Sequence, residues 1–117
     1  MADTGIFATT AEVQRKAGDG ANATSNVEAY INDFITQAES FINVLTGKNW
    51  SDSYSTLNVD VKGILKEAAS NLAAIYVLSY GTASITIENR INILWQRFNQ
   101  CCKILIITGR KSFIENA

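Results

Sequence analysis

The stretch "NLAAIYVLSYG", Asn71–Gly81, is apolar almost all the way round a helix. A helix in a small domain usually shows water a polar face, so one that lacks it lies at the centre of its own bundle or is covered by another chain. Upstream, "LNVDVKGILKEAAS", residues 57–70, is amphipathic. Val61, Ile64, Leu65, Ala68 and Leu72 face inward, and Lys62, Lys66 and Glu67 face out. Ala68, Ala69, Ser70, Ala73 and Ala74 are small enough to let neighbouring helices come close. The pattern places this helix centrally, with helices on at least two sides.

Those neighbours are legible on both sides. "SNVEAYINDFITQAESFINVLTG", residues 25–47, has apolar residues at spacings of three and four, from Val27 to Leu45. Ser25 and Glu28 have the spacing of a capping box, and Gly47 stops the helix. Asn32, Asp33, Gln37, Glu39 and Asn43 are expected on its polar face. "TASITIENRINILWQRFNQCCKILIITG", residues 82–109, supplies the last long helix, with a stripe from Ile87 through Ile91, Leu94, Trp95, Phe98 and Cys102 to Leu105. Ile93, Ile104, Ile106 and Ile107 lie off or beside that stripe, more apolar surface than a core of this size accepts. "TTAEVQRKAG", residues 9–18, reads as a short first helix capped by Thr9 or Thr10. In the loop "KNWSDSYST", residues 48–56, Trp50 and Tyr54 are expected to fold back onto the core edge.

The expected fold is all-α: a small antiparallel bundle of three long helices and one short N-terminal helix. Residues 1–109 form one domain, and an extended or short-helical C-terminal tail occupies 110–117. Phe34, Phe41, Leu65, Leu72, Leu94 and Phe98 are expected to meet in one core. A chain of 117 residues with 47% hydrophobic and 18% charged residues, and no proline, fits this description. Residues 1–10 lack the basic start and apolar run of a leader. The longest apolar run, "LAAIYVL", is seven residues, against about 20 for a bilayer span. A soluble protein made in a cytoplasm is expected, with no membrane contact.

The chemistry points away from catalysis. There is no histidine, which removes the commonest general base and the familiar nucleophilic triads. Asp3–Gly5, "DTG", matches an aspartic-protease triplet in letters only, and "GDG" at residues 18–20 lacks the strand and lysine of a phosphate loop. Cys101 and Cys102 are adjacent, so their side chains diverge by about 100° on a helix and do not pair easily. No catalytic, cofactor or metal site is expected. Arg90, Arg97, Lys103, Arg110 and Lys111 are basic, but a pI near 5.3 disfavours strong phosphate binding.

Charge is divided along the chain. Residues 1–60 hold three bases and eight acids, net −5; residues 61–117 hold seven bases and three acids, net +4. Two readings stand: chance and solvated helix faces, or an acidic half of one copy meeting a basic half of another, with Asp33 and Glu39 facing Arg90 or Arg97 across a subunit interface.

"AEVQRKAG", "EAYINDFITQAESFINVLTGKNWSD" and "LNVDVKGILKEAASNLAAIYVLSYG" together resemble the small helical head-to-tail connector proteins (adaptor or head-completion proteins) of tailed bacteriophages, over roughly residues 9–81. The resemblance implies a structural virion protein of the neck, made in the host cytoplasm. It implies a homo-oligomeric ring, typically of twelve copies, between the portal protein and the next neck or tail protein. DNA would pass through the ring's channel without sequence-specific binding, and no enzyme activity or cofactor is implied. In this family the C-terminal segment often reaches the portal, which assigns portal binding to Arg110, Lys111, Phe113 and Ile114. The competing reading is a small helical DNA-binding or regulatory module.

Overall fold

The computed structural model describes residues 5–18, 28–79 and 85–116; at residues 28, 85, 86 and 108–116 it describes the backbone alone. The fold is all-α: helix α1 (Thr10–Ala17), helix α2 (Glu28–Thr46), a short 3-10 turn (Tyr54–Thr56), helix α3 (Val59–Ser79) and helix α4 (Ile85–Asn116), with no strand among the described residues.

Helix α3 is the centre of the bundle and packs against α1, α2 and α4. Its residues Ala68 to Ile75 are all buried, as are Val77 and Leu78. Of the apolar stretch Asn71–Gly81, described as far as Ser79, all but half-buried Tyr76 and exposed Ser79 is thus covered within its own chain. Ala68, Ala69, Ala73 and Ala74 are completely inaccessible, because a methyl side chain is what a close helix approach leaves room for.

Helix α1 is set by its ends. Thr9 Oγ1 accepts from the Glu12 amide, and Glu12 Oε1 accepts from the Thr9 amide at 2.8 Å, a capping box. Gly18 ends the helix at φ +63°, ψ −153°, a conformation essentially reserved for glycine. Its missing Cβ also makes room, since a methyl there would strike the Arg90 guanidinium. The Ser25–Glu28 capping box lies outside the described residues at Ser25. Gly47 closes α2 at φ +75°, as expected.

The core joins Ile31, Ile35, Ala38 and Ile42 of α2 to Leu65, Leu72 and Val77 of α3 and Leu94, Phe98 and Leu105 of α4. Trp50 is buried, and its indole N–H donates to Thr46 Oγ1 at 2.9 Å. Asn43, expected on the polar face, instead accepts from the Trp50 amide at 3.1 Å and pins that loop.

Two expected core aromatics lie at the edge. Phe41 and Trp95 each leave about two-fifths of their surface exposed, and both pack on buried Phe98, with ring centroids at 5.9 and 5.5 Å from it. Phe34 is half-buried against Tyr76. A single bundle helix buries an arc, and the α2 stripe is wider than that arc. The stretch expected as a separate extended or short-helical tail, 110–117, instead continues α4 without a break at Gly109 as far as Asn116.

Candidate interaction surfaces

Of the four residues expected at a subunit interface, two are open to solvent. Asp33 on α2 and Arg97 on α4 are exposed. Glu39 is not: it is 5% accessible. Its Oε2 accepts from the backbone amides of Ile6 and Phe7 at 2.7 and 2.6 Å. Burial raises its pKa, and the Phe7 and Ile6 amides oppose that rise. Glu39 therefore holds the segment before α1 onto the bundle, with Phe7 buried beside Tyr54, ring centroids 5.6 Å apart. The helical spacing of Glu39 beside Asn32 and Asn43 reads as a solvated face, and nothing local in the sequence announces that residues 5–8 cover it.

Arg90 is half-buried and also committed. Its Nη1 donates to the Ala17 carbonyl at 2.6 Å, satisfying an orphan acceptor at the C-terminal end of α1, where the helix dipole favours a cation. Lys16 sits beside it, bonded to Glu67 at 2.7 Å and to Asn71 Oδ1 at 2.6 Å. Asn71 is fully buried, and its amide nitrogen donates to Glu67 Oε1 at 3.3 Å. Lys16, Asn89, Arg90, Ile93, Leu94 and Arg97 line an open groove of about 390 Å³. Two of its three cations are thus occupied within the chain, leaving Arg97 as the one with no described partner.

Burial would raise Glu12, but the Thr9 bonds and Lys66, 3.3 Å away, leave it lowered. Burial, then the charge of Glu67, raises Cys101; Cys102 is pushed up to about 11 by burial and then by Cys101. Both thiols are buried and protonated at neutral pH, which makes them poor nucleophiles. Among the described residues no group of three or more histidine, cysteine, aspartate or glutamate side chains is placed to hold a metal ion. None of the described helices is long and apolar enough to cross a membrane. The side chains of Arg110, Lys111, Phe113 and Ile114 lie outside the described residues, on the final turns of α4.

What the surface does offer is apolar area on two helices. On α4, Ile93, Ile104 and Ile107 are exposed; on α2, Tyr30, Phe41, Val44 and Leu45 are. The α4 residues are those that fall off the core stripe in sequence. On α2, Tyr30, Phe41 and Leu45 belong to the stripe, whose width marks them as more than one core can bury, and Val44 lies beside it. Compared with known proteins, the chain matches no family model, no curated protein and no solved structure.

Proposed function

We propose that this chain is a structural subunit of a tailed-phage neck, forming a homo-oligomeric ring between the portal and the tail components and extending the DNA channel. The observation that carries the proposal is the paired exposure of apolar surface on α2 and α4 of one small helical domain. A ring requires two different patches on each subunit that meet head to tail, and this domain has a patch on each of two helices. The resemblance over residues 9–81 supplies the setting. The end of α4, bearing Arg110, Lys111, Phe113 and Ile114, is assigned to the portal.

The competing reading, a small DNA-binding module, draws on the groove between α1 and α4. It is weaker because Lys16 and Arg90 already serve Glu67 and the Ala17 carbonyl, so few free cations remain for phosphates.

Native mass measurement tests the proposal, with the chain alone and with a portal protein from a tailed phage whose neck carries this chain. A ring-sized species in either sample is the expected result. A stable dimer that retards a DNA band in both samples overturns it.

A further inference from the structure

The exposed side chains of α2 and α4 fall into two matching seams. On α2 the positions are Tyr30, Phe34, Gln37, Phe41 and Val44; on α4 they are Ile93, Arg97, Gln100, Ile104 and Ile107. Both sets step by four, three, four and three residues, the 3.5-residue period of a helix seam built to pack against another helix. All ten are exposed except Phe34, which is half-buried. Val44 is 83% accessible, Ile107 64% and Ile93 53%. Single exposed apolar residues are ordinary on a protein surface, but a largely apolar run in register over 15 residues of each helix is a face left open to solvent. Because both seams are exposed in the same chain, neither covers the other within it.

Charge selects which seams meet. Of the described acids on α2, Asp33 is exposed, whereas Glu39 is buried beneath residues 5–8; on α4, Arg97 and Lys103 are exposed. A contact between two copies of α2, or two of α4, brings like charges together. A contact between α2 of one copy and α4 of the next brings opposite charges together, with exposed Asp33 against a surface bearing Arg97 and Lys103.

We infer that successive copies of this chain join by laying the α2 seam of one against the α4 seam of the next, with Gln37 opposite Gln100. The two glutamines are the third of five positions in their seams, so they meet whether the helices run parallel or antiparallel. Each amide offers a donor and an acceptor to the other, and a polar pair in an apolar seam sets register. The contact is heterologous: each copy keeps one unused seam, so it propagates to a ring or a filament and does not stop at a dimer. The inference rests on the self-assembly reading proposed above and names the surfaces that carry it.

The test uses full-length chains carrying Gln37→Cys or Gln100→Cys, both at exposed positions, with wild type as the control for Cys101 and Cys102. After mild oxidation, the mixture of the two variants should yield a disulfide-linked dimer. Each variant alone should yield no more than the wild-type background. A Gln100→Cys or Gln37→Cys chain that crosslinks by itself as well as in the mixture overturns the inference in favour of a symmetric contact. A wild-type chain that forms oligomers while the mixture fails to crosslink also overturns it, and leaves self-assembly standing. A wild-type chain that stays monomeric, with and without the portal, removes the self-assembly reading and the inference with it.

As a second measurement, Val44→Asp and Ile104→Asp should each abolish higher oligomers. Mixed, they should restore a dimer and nothing larger, because only one intact pair of seams remains. Oligomers that persist in either variant alone contradict the inference.

Discussion

Glu39 is a carboxylate with almost no water, held by two backbone amides. Its pKa lies above the ordinary 4.5 because burial outweighs those amides. The sign follows. The native state binds the proton more readily than the unfolded chain does, so Glu39 titration adds stability below about pH 4.5 and loses it as pH rises through the native pKa. Measured by urea denaturation across that range, the stability of wild type relative to Glu39→Gln should increase as pH falls towards 4.5. A difference independent of pH would contradict the assignment. Glu39→Ala leaves the Ile6 and Phe7 amides without their acceptor and should cost about 1–3 kcal/mol. Leu72, buried on α3, should cost about 2–5 kcal/mol on replacement by alanine. Phe34, half-exposed, should cost less than Leu72. Equal losses at both positions would place Phe34 in the core after all.

At the scale of the helices, two junctions decide how far each element runs. The end of α1 depends on Gly18 and Arg90 together. Gly18→Ala forces a side chain into a positive-φ conformation and against the guanidinium, so it should destabilise α1. Arg90→Met removes the donor to the Ala17 carbonyl. In both variants the amides of residues 13–17 should exchange faster, while those of the α3 centre stay protected. The other junction is Gly109. In the interior of a helix, glycine is less favourable than alanine by about 0.5–1 kcal/mol. Since α4 continues through Gly109 to Asn116, Gly109→Ala should raise helicity, measured by far-UV circular dichroism. A fall in helicity would mean that the chain turns there.

For the whole molecule, the expected signature is assembly that responds to salt and to charge. The proposed contact brings Asp33 towards Arg97 in the α4 seam and Lys103 beside it, and an exposed ion pair of this kind contributes about 0–1 kcal/mol and is screened by salt. Asp33→Lys should therefore weaken oligomerisation modestly, and Arg97→Glu in the same chain should recover part of the loss. Assembly indifferent to both changes would leave an apolar contact without electrostatic selection. Deletion of residues 110–117 should leave the thermal midpoint of the subunit unchanged and abolish portal binding. A lower midpoint with portal binding intact would make the end of α4 a structural element of the bundle.

Periodicity and composition were sufficient for the all-α fold. The central position of α3 follows from the missing polar face at Asn71–Gly81, the Thr9 cap and Gly18 stop follow from local backbone chemistry, and the burial of Trp50 follows from its place between two apolar helices. These are short-range properties, carried by residues within a few turns of each other. Which members of a wide stripe are buried is a different matter. Phe41 and Trp95 share the period of the core, yet they lie at its edge, because the arc a helix buries depends on where its neighbours sit. Glu39 and Arg90 read as surface charges by spacing. Their roles depend on partners 32 and 73 residues away in the chain, and no local pattern records which distant backbone group will arrive beside a side chain. Only the tertiary structure decided that Glu39 and Arg90 hold the fold together, while Asp33 and Arg97 remain open to solvent.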